Sequence, residues 1–399
     1  MTRKMLIFAP NGGASLSTGG GTKILLTMAK IFSRKFGYDI ALAGYHSLSI
    51  DELCIIHGFK VADLHIKLYS RGLENIYTAF KMIPFKISAY NVLFRRDFRS
   101  WASEVIERFN PDIILFNDDI PYLDSKIFKN RAVYLYVNFP LLAQNASIVP
   151  ILKKTRSISE SINDSFLRAF GNRIIYPYPH EICNAIIANS SVTYRALKKI
   201  GINGTISLLP PFICKSCRGI REKENVIVSL GSFSKHKNYE MLIEGFINSE
   251  LTGWKLEIMG FGRDLTYVKR LEKLILRSRT TKEILLKIDL PKEEIDQRTS
   301  RSSIIVHSAM FEPFGIAPLE AMANASIPIV FKSEYSGIWT DVLERGKYGA
   351  GFENSHDLSS QLSLIAQRLS QDSQTKVLKR AESYSEEKFI SALRSTMEF

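Results

Sequence analysis

Short apolar runs rich in β-branched residues recur along the chain. Each is stopped by glycine, proline or a polar loop and followed by a stretch of helical periodicity. In the first half the runs are Met5–Ala9, Asp39–Ala43, Asp112–Asn117, Ala132–Val137 and Ala185–Asn189, with helical stretches such as Thr22–Arg34 and Tyr194–Ile200 between them. In the second half they are Val226–Leu230, Trp254–Met259, Glu283–Ile288, Ser303–His307 and Ile327–Phe331, with helices expected over Tyr239–Phe246 and opening at Pro291. Parallel neighbours need a crossover long enough to hold a helix, so this alternation predicts parallel sheets with helices on their faces. The cycle breaks at Leu208-Leu209-Pro210-Pro211, and a polar stretch, Cys214 to Glu224, precedes its restart. The expectation is two successive doubly wound α/β domains, over 1–205 and 206–380. A last amphipathic segment, Ser385–Phe399, reads as one more helix.

Composition removes other classes. The chain has 399 residues, of which 45% are apolar and 23% charged, the balance of a folded globular protein rather than a disordered one. The apolar run Met5–Ala9 ends at Pro10-Asn11-Gly12, too short for a signal-peptide core of about 7–15 residues. The most apolar longer stretch, Ala132 to Leu152, is interrupted by Asn138, Pro140, Gln144, Asn145 and Pro150, whereas a spanning helix needs about 20 mostly apolar residues. The chain is therefore expected in the cytoplasm or on a membrane surface. Four cysteines, Cys54, Cys183, Cys214 and Cys217, do not make a disulfide framework. Cys214-Lys215-Ser216-Cys217 lacks two further ligands at zinc spacing, which leaves incidental thiols or a redox-sensitive pair.

The sharpest local feature is Phe311-Glu312-Pro313-Phe314-Gly315-Ile316-Ala317-Pro318-Leu319-Glu320-Ala321-Met322-Ala323. Pro313, Gly315 and Pro318 prevent one helix from running through it. A helix is expected to begin at Pro318, where the missing N–H costs nothing. The amides of Gly315, Ile316, Ala317 and their neighbours then lie free at a helix N-terminus, a setting that favours a phosphate. Glu320 falls in the first turn, and Glu312 on the loop after the strand Ser303–His307. Carboxylates accept hydrogen bonds, so beside a diphosphate they would hold hydroxyls, on a ribose and on a sugar. In a second reading Glu320 favours the helix dipole and Glu312 ends a strand in solvent. Both readings stand on this motif alone.

The same segment resembles the E-x7-E motif of retaining glycosyltransferases of the GT-B fold, family 4, with Glu312 and Glu320 in its two positions. Gly231-Ser232-Phe233-Ser234-Lys235-His236-Lys237-Asn238 resembles that family's G-R-F-x-x-x-K-N, and Leu256-Glu257-Ile258-Met259-Gly260-Phe261-Gly262 its L-x-I-x-G-x-G. Ala188-Asn189-Ser190-Ser191 and Leu209-Pro210-Pro211 match two landmarks before the linker. The resemblance implies two Rossmann-like domains facing across a cleft, an acceptor-side N-terminal one and a C-terminal one that binds the nucleotide sugar. The segment 381–399 is expected to be a helix returning to the first domain.

By this resemblance Glu320 would bind the ribose hydroxyls, Glu312 the transferred sugar, and Lys237 would neutralise the diphosphate as its bond to the sugar breaks, the electrostatic help this chemistry needs. A plain surface lysine is the alternative for Lys237. Gly231 and Ser232 lie on the same loop, and Ser232 stands where the family has arginine; Lys235 and Arg263 are candidates to supply that charge. Tyr136-Val137-Asn138-Phe139-Pro140 resembles an H-x-P element of lipid-linked mannosyltransferases, with Asn138 in place of the histidine. Asparagine can hydrogen-bond a sugar hydroxyl but does not shuttle a proton at neutral pH. In a retaining front-face mechanism the leaving phosphate can take that proton itself.

Other candidates carry less. The loop from Asn11 to Gly21 holds Gly12, Gly13, Gly19, Gly20 and Gly21 between a strand and a helix, which would let backbone approach donor or acceptor closely. It lacks the lysine of a P-loop, and a merely flexible loop is the alternative. Asn117-Asp118-Asp119 invites a metal reading, but a polar loop is preferred and no metal or cofactor is expected. His307 ends the strand before Glu312, where it could line the cleft, and His236 lies in the Lys237 loop; an incidental position is the preferred reading of both.

Lys and Arg total 53 against 40 Asp and Glu, a net charge of +13. Basic residues interleave with phenylalanines between Lys67 and Arg99, and Lys153, Lys154, Arg156, Arg168 and Arg173 form a second cluster. Such surfaces bind anionic lipid headgroups; a solvated face is the bland alternative, and no nucleic-acid motif accompanies the charge. The combined expectation is a retaining glycosyltransferase moving a sugar, with mannose the first to try, from a nucleotide-diphosphate sugar to a glycan or lipid-linked hydroxyl at an anionic membrane surface. The rivals are a nucleotide-sugar epimerase and a non-catalytic sugar-nucleotide or lipid-binding protein.

Overall fold

The computed structural model describes residues 2–9, 20–45, 49–60, 64–71, 100–118, 120, 123–140, 143, 148–151, 181–213, 222–262 and 264–397. Gly12, Gly13, Gly19, Asp119, the basic clusters Lys81–Arg99 and Lys153–Arg173, the Cys214/Cys217 pair and Arg263 lie outside those residues. The chain divides into two compact units, Met1–Leu209 with Ile390–Phe399, and Pro210–Phe389.

Among the described residues the first unit is built on seven parallel strands: β1 (Lys4–Ala9), β2 (Asp39–Tyr45), β3 (Ile66–Arg71), β4 (Ile113–Asn117), β5 (Ala132–Val137), β6 (Ala185–Ala188) and β7 (Ile206–Leu208). Their order is β3-β2-β1-β4-β5-β6-β7, so the winding reverses between β1 and β4. Central strands covered on both faces need apolar residues at every position. That is why β1 and β4 are near-continuous apolar runs, buried almost throughout. Phe8 of β1 stacks on Phe116 of β4 at 5.2 Å, and Trp101, on the helix 100–109, meets Phe8 edge-on at 6.4 Å. The helix Glu386–Met397 closes the chain. Its Leu393 and Met397 are buried, the Met397 carbonyl accepts a hydrogen bond from the Tyr134 hydroxyl at 2.8 Å, and Arg394 covers the Phe36 ring at 4.9 Å.

The second unit repeats the plan with six strands: β8 (Glu224–Leu230), β9 (Lys255–Gly260), β10 (Glu283–Ile288), β11 (Ser302–His307), β12 (Ile327–Phe331) and β13 (Ala350–Phe352). The order β10-β9-β8-β11-β12-β13 places its reversal between β8 and β11. In open sheets of this kind ligands sit beyond the carboxyl ends of the strands at the reversal. Strands β3, β7 and β13 and the helices Ile50–His57, Leu265–Ser278, Ser355–Gln367 and Gln371–Glu382 go beyond the elements expected from sequence. β3 and β13 are terminal strands in their sheets, and β7 has three residues. Such elements lack the long apolar run that marks a central strand.

Candidate active site

At the carboxyl end of β8 the chain turns sharply against β9. The Gly231 N–H donates to the Met259 carbonyl at 3.1 Å, and a Cβ on Gly260 would fall 1.6 Å from the Gly231 carbonyl oxygen. Only glycine fits at 260. Phe233, fully buried, anchors the loop, and the Ser232 and Ser234 hydroxyls lie 3.0 Å apart. A single 3-10 turn, Lys235–Lys237, then ends on Asn238 at φ +54°, a left-handed conformation that asparagine tolerates better than most residues. Helix Tyr239–Asn248 begins there. The Ser308 hydroxyl, just past β11, donates to the Lys237 carbonyl at 2.7 Å and ties this turn to the neighbouring strand end.

This folding carries Lys237 across the reversal. Its Nζ lies 2.8 Å from Glu312 Oε2, an ion pair with side chains 15% and 22% exposed. A Cβ on Gly231 would come within 3.2 Å of Lys237 Cε and 3.0 Å of the Tyr239 hydroxyl, so the bare backbone there gives the lysine its path. Glu312 is fixed through its own backbone. It bridges to Ser336, and its carbonyl accepts from the Gly337 N–H at 2.9 Å. A Cβ on Gly337 would stand 2.1 Å from the Pro313 carbonyl oxygen, so the two segments touch backbone to backbone.

The helix after Glu312 spans Ile316–Met322, with Gly315 as its cap at φ +95°. It therefore begins two residues earlier than the expected start at Pro318. Proline is accommodated within the first turn because N–H groups there have no intrahelical acceptor in any case. The Ile316 and Ala317 N–H groups are two such donors. The earlier start also moves Glu320 out of the first turn, which holds no acidic residue. Glu320 is half-buried, and its backbone carbonyl accepts from the Asn324 side chain at 3.0 Å.

Two further buried groups lie here: His307, for which an incidental position was the preferred reading of the sequence, and Tyr239, which the sequence did not single out. His307 is 4% exposed, and its Nε2 lies 3.3 Å from Glu312 Oε2 yet has no aligned hydrogen-bond partner among the described residues. The Tyr239 hydroxyl, also buried, likewise has no hydrogen-bond partner among the described residues. A histidine ending an apolar strand five residues before a carboxylate was the available signal for the first; nothing local marked the second. Burial pulls the His307 pKa down, with Lys237 adding to the effect and Glu312 opposing it. Burial alone would raise the Glu312 carboxyl, but the Lys237 ammonium and His307 outweigh it and hold it well below the usual range. Burial, and then the Glu312 charge, push the Tyr239 phenol up.

The first unit has its own polar cluster. Asn138 follows β5; its Nδ2 donates to Asn117 Oδ1 at 3.0 Å and Asp118 Oδ2 at 2.9 Å, and its N–H to Asp118 Oδ1 at 2.5 Å. Burial raises the Asp118 pKa and these hydrogen bonds oppose the rise. The Asp118 carboxylate thus shapes the Asn138 loop. Thr193 pins the same loop by donating to the Asn138 carbonyl at 2.6 Å. With both amide hydrogens of Asn138 engaged, Oδ1 is the atom left to accept from a hydroxyl, counting partners among the described residues. Gly20 and Gly21 open the helix Gly20–Phe36, and a Cβ on Gly21 would lie 3.4 Å from Asn138 Nδ2. The structure therefore gathers the predicted residues into two groups: Gly231, Lys237 and Glu312 with the start of the helix Ile316–Met322, and Gly21 with Asn138.

A cation against a carboxylate beside a helix start, at a topological reversal, suits a substrate that carries both phosphate and hydroxyl groups. Residues 215–387, inside the second unit, match the family described as Glycosyl transferases group 1. Over 365 residues the chain is 23% identical to the human GDP-Man:Man(3)GlcNAc(2)-PP-Dol alpha-1,2-mannosyltransferase, covering 79% of this chain and 70% of that protein. The Candida albicans protein of the same description is 22% identical over 279 residues, 61% of this chain and 45% of the relative. The crystal structure of Anabaena HepE in complex with UDP and glucose superposes with a TM-score of 0.67 at 14% identity, over 99% of this chain and 98% of that one. The chain is a glycosyltransferase of the GT-B fold, with a group 1 domain in its second unit and a resemblance to mannosyltransferases of lipid-linked oligosaccharides.

Proposed function

We propose that the protein is a retaining transferase that moves mannose from GDP-mannose to a hydroxyl of a lipid-linked glycan, with its donor held in the second unit. The observation that carries this reading is the Lys237–Glu312 pair at 2.8 Å beside the start of the helix Ile316–Met322. The described donor names of the human and Candida relatives support GDP-mannose as the first donor to try. Lys237 neutralises the diphosphate as the glycosidic bond breaks, because a positioned cation stabilises charge that develops on a leaving phosphate. The Ile316 and Ala317 amides take phosphate oxygens, Glu312 accepts from a hydroxyl of the transferred sugar, and Glu320 accepts from the ribose. Gly231 and Ser232 supply close backbone on the β8 loop. On the acceptor side, Asn138 Oδ1 receives a hydroxyl, and Gly20 and Gly21 admit the substrate to the backbone.

The acceptor proton passes to the leaving phosphate, so no titrating base is needed at Asn138. The reaction runs without a metal ion, its electrophilic role falling to Lys237. The protein works at the cytoplasmic face of a membrane, held peripherally by anionic lipid; among the described residues no helix is long and apolar enough to cross one.

Thermal unfolding against GDP-, UDP- and ADP-sugars tests the donor site. A ligand at 100 times its Kd stabilises by about 2.7 kcal/mol. GDP-mannose is expected to raise the unfolding temperature of wild type and to leave Glu320→Ala unmoved. If no nucleotide sugar stabilises wild type, the donor reading fails; if a UDP- or ADP-sugar does so alone, GDP-mannose fails as the donor. Transfer of radiolabelled mannose to a lipid-linked glycan, at one anomeric configuration, then tests the reaction.

A further inference from the structure

Glu312 Oε2 has two cationic candidates for one lone-pair region. Lys237 Nζ occupies it at 2.8 Å, while His307 Nε2 waits at 3.3 Å, buried and with no aligned hydrogen-bond partner. His307 Nε2 is thus close to the carboxylate but out of line with it, and a buried polar atom so poorly aligned is unusual in a native structure. If Lys237 swings to a diphosphate, the carboxylate beneath it loses its counter-charge in a site that is largely closed to water. A buried carboxylate stripped of its partner is costlier than any neutral hydrogen bond lost there.

We infer that His307 is the reserve partner of Glu312: as Lys237 Nζ leaves for the donor diphosphate, His307 Nε2 binds a proton from solvent and hydrogen-bonds Glu312 Oε2. This rests on the reading that Lys237 meets the diphosphate. No covalent bond changes; one proton is taken up per donor bound, and the carboxylate keeps its charge with Oε1 free for a sugar hydroxyl. Among the described residues, the charged groups that act on His307 are Glu312 on the following loop and Lys237 on the β8 turn, and the Tyr239 phenol of the adjacent helix feels the same Glu312 charge. With Lys237 drawn away, the one cation among the described residues that depresses His307 acts on it less, and Glu312 remains to favour the imidazolium. His307 is thus a positioning residue, acting on the sugar through Glu312.

The experiment is calorimetry of GDP-mannose binding in buffers of different ionisation enthalpy, near neutral pH, with wild type, His307→Gln and Lys237→Met. The diphosphate of a sugar nucleotide has no group titrating near neutrality, so the proton count reports the protein. Wild type is expected to take up a proton on binding, and its affinity to fall by up to about tenfold per pH unit across the window where His307 changes state. Glutamine can donate to Glu312 without titrating. Because glutamine brings no charge, His307→Gln should bind GDP-mannose more weakly than wild type at neutral pH and lose both the proton uptake and the pH dependence. Binding without proton uptake in wild type, or uptake that persists in His307→Gln, overturns the hand-over and leaves the donor reading intact. If Lys237→Met binds GDP-mannose as tightly as wild type, the assignment of Lys237 to the diphosphate falls, and the hand-over falls with it.

Discussion

Lys237, Glu312 and His307 form a small charge system whose behaviour follows from which of them is most deeply buried. His307 keeps a lowered pKa, so as pH drops the unfolded chain binds a proton before the folded one does. Stability is therefore lost as pH falls below about 6.5, the ordinary histidine value. Glu312, held low, contributes stability above the ordinary glutamate value that disappears as pH falls further toward its folded value. Unfolding temperatures measured from pH 7.5 downward should fall in wild type, and the loss below about pH 6.5 should shrink in His307→Gln. An unchanged slope in that variant would assign the acid lability elsewhere. Lys237→Met should lower kcat by about 10²–10³-fold with the circular-dichroism spectrum unchanged, the range found when one electrostatic stabiliser of a developing charge is removed. Asn138 is a contrasting case. Its amide was predicted to meet substrate, and the structure spends both amide hydrogens on Asn117 and Asp118. Nothing in the local sequence could have revealed that, because the partners lie 20 and 21 residues away.

At the scale of elements, the start of the helix Ile316–Met322 depends on a glycine that two independent constraints require. Gly315 sits at φ +95°, and a Cβ there would fall 2.8 Å from the Ile338 side chain. Gly201 shares a positive φ of +86° but has nothing within 4 Å of its Cβ position. Both Gly→Ala changes should carry the left-handed backbone cost of roughly 1–2 kcal/mol. Gly315→Ala should add a clash that displaces the helix start and abolish stabilisation by GDP-mannose; Gly201→Ala should leave that stabilisation intact. Thermal unfolding with and without the nucleotide sugar separates the two. The strands central to each sheet were legible because burial on both faces demands unbroken apolar runs; Ala132–Val137 and Ile327–Phe331 fall within the expected bounds. The terminal strand β3, Ile66-Lys67-Leu68-Tyr69-Ser70-Arg71, alternates in polarity and did not stand out. The helix starts at Ile316 rather than Pro318, and its Gly315 cap lies against Ile338, a residue of another segment whose proximity no local pattern shows.

At the scale of the molecule, the helix Glu386–Met397 is divided between the units, with Phe389 packed at 4.5 Å on Phe212 in the second and Leu393 and Met397 buried in the first. Burying such side chains contributes about 1.5–3 kcal/mol each. Deleting residues 390–399 should therefore lower the unfolding temperature of the first unit and speed its cleavage in limited proteolysis, and equal proteolysis rates would refute the assignment. The surplus of +13 charges makes a second prediction. Vesicles containing phosphatidylserine should pellet the protein at low salt and release it at high salt, since each favourably placed Lys or Arg contributes about 1 kcal/mol and is screened by ions. No pelleting at low salt would sink the membrane proposal.

By itself the sequence determined the fold class, because the alternation of apolar runs and helical periodicity is local information, and it determined the order of the motifs that mark a glycosyltransferase. The tertiary structure alone decided which of those motifs touch. Lys237 and Glu312 are 75 residues apart and meet because β8 and β11 are neighbours at the sheet's reversal. The same adjacency buries His307 against Glu312 and turns an ordinary strand-ending histidine into a group whose proton depends on where a lysine points. Burial and electrostatic coupling are properties of neighbours in space, and strand order, rather than chain order, sets those neighbours.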